Sequence, residues 1–384
     1  MLSVIAGISF LIWLYLTFAR GNFWTSSIRD STSVTAPAGW PAVAIVIPAR
    51  NEAASIGASV ASLMRQDYRG SLRLVVVDDD SDDGTADLAK SAAMSANAEE
   101  RVTVISSHGL PSGWTGKMWA VHQGIETAEA TAKPEYFLLT DADIVHAPDV
   151  VSWLVAKAEE GRLVLTSLLA KLRCESLAER IHVPAFVFFF EMLYPFAWVQ
   201  KRSSAMAAAA GGCMLVRADA LARAGKIESM CGALIDDCTL AKKLKAEGPI
   251  WLGLTDRVQS LRAYETFSDV AGMISRSAYA QLKNSPLLLA LTIVGLAITF
   301  LVPPFAAIFG SGLARYLGVA VWAAMALLFQ PTLRFYRVSP LWGVALPAIA
   351  LLYSAYTLDS AYRHIRKRGG GWKGRVYADA LKPQ

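Results

Sequence analysis

At 384 residues the chain is too long for one ordinary domain and has room for a catalytic domain with an appendage. Hydrophobic residues make up 54% and charged residues only 18%, with a mean hydropathy of +0.36, which excludes a typical soluble enzyme and points to a membrane protein. The net charge of +5 is modest and its basic residues cluster beside apolar segments, so they read as topology signals rather than as a nucleic-acid face.

Residues 2–19 form an apolar segment without charges, followed by Arg20; the length suits one bilayer crossing and reads as a retained anchor with its N-terminus outside. Residues 21–40, rich in Ser, Thr, Pro and Gly, read as a linker. Residues 42–48, AVAIVIP, read as a buried strand, followed by Ala49-Arg50-Asn51-Glu52 and a helix to about Gln66. A second strand, residues 72–77, runs into Asp78-Asp79-Asp80-Ser81-Asp82-Asp83-Gly84-Thr85; a helix over 86–98 and a strand over 101–105 follow. This alternation predicts an α/β domain with a mostly parallel sheet and right-handed crossovers.

The acidic residues of 78–83 repel one another unless something neutralises or screens them. A solvated turn with an Asp cap on the next helix accounts for them. So does a nucleotide site at the carboxyl end of the sheet, with Asp78 reaching a base or ribose. Gly113-Trp114-Thr115-Gly116-Lys117 opens the next helix, 118–130. Glycines and a lysine ahead of a helix can cradle a diphosphate, although the spacing is not that of a Walker A loop and Lys117 reads equally as a surface lysine.

Residues 136–145, YFLLTDADIV, end a buried strand in Asp141 and Asp143. In an extended chain both carboxylates fall on one side, where they could share a hard divalent ion that also reaches substrate phosphates. An exposed Asx turn is the other reading of the same letters. A helix over 148–160 and a strand over 163–169 follow. Residues 183–199 carry Phe186, Phe188, Phe189, Phe190, Tyr194, Phe196 and Trp198, interrupted by Pro184, Glu191 and Pro195. An interfacial or re-entrant helix is expected there, with a buried helix of the catalytic domain as the alternative.

Gly211-Gly212 reads as a turn entering a strand. Ile235-Asp236-Asp237-Cys238-Thr239-Leu240 opens a basic helix, where the carboxylates are either caps or a general base aimed into the cleft. Arg276 is a candidate cation for a leaving phosphate. The cysteines Cys174, Cys213, Cys231 and Cys238 contain no C-x-x-C pair and read as reduced thiols of a cytoplasmic domain. From Pro286 onward, residues 287–309, 316–329 and 341–358 are apolar; the first and third are long enough to span and the middle one is short. Three crossings would leave the basic tail outside, whereas its charge points inside. The expected layout is an anchor (1–20), a linker (21–40), a catalytic domain (41–285), a transmembrane block (286–360) and a basic tail (361–384).

Four motifs then stand in order: Val46-Ile47-Pro48-Ala49-Arg50-Asn51-Glu52; Val77-Asp78-Asp79 with Ser81 and Asp83-Gly84-Thr85; Asp141-Ala142-Asp143; and Asp236-Asp237-x-x-Leu240. Over residues 40–280 the chain resembles the family-2 glycosyltransferases of the GT-A fold. Its layout is similar to that of membrane enzymes that glycosylate lipids, ceramide glucosyltransferases among them. The stretch Gly113-Trp114-Thr115-Gly116-Lys117-Met118-Trp119-Ala120 looks most like the hopanoid-associated bacterial branch. The resemblance implies donor contacts from Pro48, Arg50, Glu52, Asp78, Asp79, Lys117, Asp141 and Arg276, with Asp78 on the nucleotide base. It also implies that Asp141 and Asp143 hold Mn²⁺ or Mg²⁺ against the diphosphate and that Asp237 is the general base. The family's Q/R-x-x-R-W signature is only partly present, since Met273 and Ser277 flank Arg276, which argues against a processive polymer channel.

The expected activity is inverting transfer of a sugar from a nucleotide-sugar donor to a membrane lipid hydroxyl, because one base and no second carboxylate nucleophile favour inversion. The expected location is the bacterial inner membrane, multi-pass, with the catalytic domain cytoplasmic and no nucleic-acid partner. Two other readings stand beside it. A haloacid-dehalogenase-type phosphatase weakly fits Asp141-Ala142-Asp143-Ile144-Val145 but lacks the later G-D-x-x-x-D. A membrane scaffold that binds nucleotide sugar without turnover leaves the Asp237 motif unexplained.

Overall fold

The computed structural model describes residues 1–233 and 235–366, and the backbone of 371–372 and 375–376; most of the expected basic tail lies outside the described residues. The chain divides into two compact units. One comprises Ile28–Arg173 and Trp198–Arg262, the other Met1–Ser27, Cys174–Ala197 and Ala263–Gly370. The unit made of Ile28–Arg173 and Trp198–Arg262 ends before residue 285, where the sequence alone placed a boundary.

The first unit is built on an eight-stranded sheet: β1 (Val43–Ala49), β2 (Leu72–Asp78), β3 (Val102–Ser106), β4 (Tyr136–Leu139), β5 (Ile144–His146), β6 (Leu165–Lys171), β7 (Met214–Arg217) and β8 (Ile250–Ser260). Their spatial order is β3-β2-β1-β4-β7-β6-β8-β5. The sheet is mostly parallel, as expected, with β5 and β7 as its two reversed strands. β3, β2, β1 and β4 run parallel, as do β6 and β8, but β7 is antiparallel to both β4 and β6, and β5 is antiparallel to β8. The helices Ile56–Met64, Thr85–Ser95 and Gly116–Ala132 supply the crossovers that parallel neighbours need, whereas β7 enters between β4 and β6 from the opposite direction.

β1 is buried along its whole length, which explains its unbroken apolar run. Ile45, Ile47, Leu74 and Leu138 pack with Ile56, Val60, Leu63 and Leu154 on one face. On the other face the helix Gly116–Ala132 comes so close that a Cβ at Gly124 would lie 2.4 Å from Val46 Cγ1 and 3.0 Å from Val77 Cγ2. Only glycine allows that approach. Registers Ala49↔Asp78 and Val46↔Leu139 bring the carboxyl ends of β1, β2 and β4 to one edge.

The segment expected as a linker is stitched to this unit from Ile28 onward. Arg29 bridges to Leu254, and Asp30 N donates to Leu254 O at 3.1 Å. Asp30 Oδ2 accepts from Arg257 Nε at 2.9 Å, and Trp153 Nε1 donates to Thr32 O at 3.1 Å. Trp40 packs edge-on against Tyr68 at 5.4 Å. Composition suggested a free tether, but backbone hydrogen bonds and one buried carboxylate hold it in place.

The second unit is helical and has its own core around Trp13, Phe188, Phe300 and Phe329. The aromatic segment belongs to the helix Leu177–Leu193, which starts in a capping box between Ser176 and Glu179 and carries Pro184 inside. Phe188 meets Phe23 at 5.2 Å and Phe329 at 5.1 Å, and Phe189 meets Tyr353 at 5.0 Å. Phe188 and Phe189 thus pack against other rings of this helical unit. Among the described residues, Pro286–Phe309 (24 residues) and Leu313–Phe335 (23 residues) are long and apolar enough to cross a membrane, by length and composition alone. The middle segment is therefore longer than expected, because the helix runs on through Phe335. The third, Leu346–Ile365, begins after a turn at Pro340–Gly343, carries Asp359 and Arg363, and does not qualify. The first helix, Leu2–Phe18, has 17 residues and is shorter than a full span.

Candidate active site

The acidic run after β2 divides its labour. Asp78 closes the strand and is buried, and its Oδ1 accepts from Ser81 Oγ. Arg50 pairs with the Asp79 carboxylate at 3.7 Å and donates to the carbonyls of Asp79 and Asp80, so it staples this loop to the end of β1. Asp83 accepts from Ala53 N at 2.9 Å and Thr85 N at 3.1 Å, just ahead of the next helix, whose N-cap is Gly84. Different members of the run thus take different partners.

After β4 the chain turns instead of staying extended: Ile144 N donates to Asp141 O at 3.3 Å. The two carboxylates consequently take different partners, which corrects the picture of simple alternation. Asp141 Oδ1 lies 2.9 Å from Lys117 Nζ, and the same ammonium lies 3.0 Å from Asp236 Oδ2. Asp143 Oδ2 accepts from Ser260 Oγ at 3.0 Å and from Arg262 Nε at 2.9 Å. Arg262 Nη2 reaches on to Glu52 Oε1 at 2.6 Å.

Asp237 lies one residue into the helix Asp236–Glu247. Its Oδ2 accepts from Gly211 N at 3.1 Å and its Oδ1 from Cys238 N at 2.7 Å. A Cβ at Gly211 would stand 3.6 Å from Lys117 Nζ and 3.7 Å from Asp237 Oδ2, so this glycine touches both charged groups. Pro48, Lys117, Asp141, Gly211 and Asp236 line one cleft, over an apolar floor that includes Met214 and Leu240.

The Gly113–Lys117 stretch is positioned by its own letters. Thr115 Oγ1 accepts from Met118 N at 3.4 Å to cap the helix, and Thr115 N donates to Cys231 O at 2.9 Å. Trp114 packs against Trp119 at 5.1 Å and His122 at 5.0 Å, and Lys117 turns into the cleft.

Burial opposes the Lys117 charge, but Asp141 and Asp236 outweigh it and hold the ammonium above the ordinary lysine range. Burial pushes Asp141 up, with the Asp143 and Asp236 charges adding and Lys117 opposing. Burial, then the charge of Asp236, pushes Asp237 up to about 6, against the N–H groups of Cys238 and Gly211 and the Lys117 charge. That is a value suited to a general base near neutrality.

Among the described residues no three His, Cys, Asp or Glu side chains converge on one point. Asp141 Oδ2 and Asp143 Oδ1 accept no hydrogen bond from the described residues. Two open carboxylate oxygens suit Mg²⁺ or Mn²⁺, which commonly take one or two carboxylates and complete their shell with water and substrate phosphates. These are the residues that could hold such an ion.

Of the donor residues expected from the sequence, Pro48, Lys117 and Asp141 share the cleft, while Arg50, Glu52, Asp78 and Asp79 form the adjoining loops. Arg276 belongs to the helical unit, exposed just past the helix Phe267–Ser275. Sequence reasoning missed Arg262 and Ser260. The one local signal was a charged residue just past a long strand.

Residues 44–225 match the family described as Glycosyl transferase family 2. An N-acetylglucosaminyltransferase from Rhizobium leguminosarum bv. viciae is 32% identical over 121 residues, or 31% of this chain and 26% of that protein. The chain thus spans about a quarter of the curated relative it matches. Among solved structures, the mannosyltransferase PcManGT from Pyrobaculum calidifontis, in complex with GDP-Man and Mn²⁺, is similar over 93% of this chain and 99% of its own, with 19% identity and a TM-score of 0.55. A glucosyl-3-phosphoglycerate synthase from Mycobacterium tuberculosis, with Mn²⁺, UDP-glucose and glycerol 3-phosphate, aligns over 63% of this chain and 79% of its own, with 20% identity and a TM-score of 0.40. At 19% identity the likeness to the Pyrobaculum structure establishes a shared fold of GT-A type.

Proposed function

We propose, from the premise that this chain carries a glycosyl transferase family 2 domain and is a glycosyltransferase, that it moves a sugar from a nucleotide-sugar donor to a membrane lipid hydroxyl, with inversion and with Mn²⁺ or Mg²⁺. One observation carries the reading: Asp141, Lys117, Asp236 and Asp237 meet around Gly211 at the carboxyl edge of the sheet. The GDP-Man and Mn²⁺ of the Pyrobaculum structure support the same donor class and ion.

Asp141 and Asp143 would hold the ion, which when bound offsets negative charge growing on the leaving diphosphate. Asp78 and Asp79 take the nucleotide side, with Pro48, Arg50 and Glu52 framing the loop between them. Asp237 accepts the proton of the acceptor hydroxyl. The acceptor oxygen bonds to the anomeric carbon as the carbon–oxygen bond to the diphosphate breaks, and the electron pair leaves with the nucleoside diphosphate.

The apolar helices Leu2–Phe18, Pro286–Phe309 and Leu313–Phe335 support a lipid acceptor and a multi-pass place in a bacterial inner membrane with the catalytic unit on the cytoplasmic side. The Gly113–Ala120 stretch supports a role in hopanoid or related glycolipid synthesis. The test is incubation of the purified protein with labelled nucleotide sugars, N-acetylglucosaminyl and mannosyl donors among them, and membrane lipid, with and without Mn²⁺. Label is expected in the lipid fraction with the anomeric configuration reversed. Full activity in Asp143→Ala and Asp237→Asn overturns the reading; tight donor binding without transfer to any lipid favours a scaffold.

A further inference from the structure

Among the described residues, Lys117 is the one cation within ion-pair distance of either Asp141 or Asp236. Its ammonium stands between them at 2.9 and 3.0 Å. Its root is fixed, because Thr115 caps the helix below it and is tied to Cys231, five residues before Asp236. Its tip lies beside Gly211, where a Cβ would stand 3.6 Å from the ammonium nitrogen. A lysine held this way does the electrostatic work of a bound ion: it offsets two carboxylates that would otherwise repel across the cleft. The same ammonium repels a divalent ion placed on Asp141.

We propose that Lys117 is a resident counter-cation, a positioning residue that joins Asp141 to Asp236 in the metal-free enzyme and competes with the divalent ion for Asp141. This rests on the proposed role of Asp141 as a metal ligand. When the ion takes Asp141, Lys117 stays with Asp236, so Asp236 keeps a positive neighbour and the adjacent base Asp237 keeps its place. The site neither closes nor springs apart between turnovers, and the lysine is left beside the position of the leaving phosphate.

The experiment is a titration of the full-length protein in detergent with Mn²⁺ alone, following free Mn²⁺ by electron paramagnetic resonance. Lys117→Met is expected to bind Mn²⁺ about tenfold tighter or more, since a charged hydrogen-bonding competitor has been removed. Lys117→Arg is expected to match the wild type, because it restores the charge. Lys117→Gln, which keeps a donor without charge, covers the case in which the methionine variant does not fold; it too should bind tighter, and Mn²⁺ should raise its Tm by more than that of the wild type. Equal or weaker binding in both uncharged variants overturns the proposal. If the wild type and both uncharged variants bind equally while Asp143→Asn does not bind, this proposal falls and the metal reading of Asp141 and Asp143 stands. If no variant binds Mn²⁺ at millimolar concentration, the metal reading falls and takes this one with it.

Discussion

Arg262 Nε donates to Asp143 Oδ2 at 2.9 Å, and this bond fastens the chain just past β8 to the turn between β4 and β5. The other arm of the guanidinium holds Glu52 at 2.6 Å, so one side chain spaces the segment after β1 from the turn after β4. Arg262→Met should lower kcat/KM by about 100-fold, the scale expected for an ångström of misplacement, with the circular dichroism spectrum unchanged. Arg262→Lys should recover only part, because an ammonium has no planar fork to serve both partners. Steady-state kinetics on the two variants decide it.

The elevated Asp237 carboxyl makes a prediction about pH. With a value of about 6 in the free enzyme, kcat/KM should rise with unit slope up to that pH and level above it, as the base loses its proton. Asp236→Asn removes a neighbouring negative charge, so the rise should move to lower pH. Asp237→Asn should cost about 100- to 10,000-fold in kcat and leave nucleoside diphosphate affinity unchanged. A pH–rate profile with no acid limb near 6 contradicts the assignment.

Gly124 lets the helix that carries Lys117 lie against β1 and β2. Gly124→Ala should destabilise the protein by about 1–3 kcal/mol through overpacking, although alanine is the better helix former. Denaturant unfolding of the variant measures it. Unchanged or greater stability would mean that the helix can shift freely.

His146 is buried behind the Asp141–Asp143 turn, its Nδ1 without a hydrogen-bond partner among the described residues. Burial pushes it down to about 3, so the folded protein keeps it neutral. An unfolded chain protonates the same ring below its ordinary value of about 6.5. Its contribution is therefore full above that pH and is lost as pH falls from about 6.5 towards 3, at up to about 1.4 kcal/mol per pH unit. His146→Gln should flatten the acid side of the stability curve by one proton. Unfolding free energies compared at pH 7, 6, 5 and 4 test this.

The parts of the site legible in the sequence were those that depend on near neighbours. β1 and β2 announce themselves because their apolar runs are buried, and Asp78, which ends β2, follows directly. Asp236-Asp237 stand at the start of a helix, where the spacing to Leu240 is local. Arg262 was not legible, since its partner follows from Ser260 pairing with Ile144, more than a hundred residues away. The three-residue strand β5 is too short to show a period of two. The aromatic run around Phe188 has the same composition whether it meets lipid headgroups or other rings, so its contacts with Phe23 and Phe329 were not legible in it.

The stitching of Ile28–Asp30 onto β8 sets where a protein engineer can cut. A fragment beginning at residue 41 would lose Asp30 and leave the Arg257 guanidinium with Asp149 as its one remaining carboxylate at ion-pair distance, 2.7 Å away, and would bare the backbone of Leu254 along a strand edge. One beginning at Ile28 keeps both. A soluble catalytic fragment, if it is to stay monomeric on a gel-filtration column, starts thirteen residues earlier than composition alone would advise.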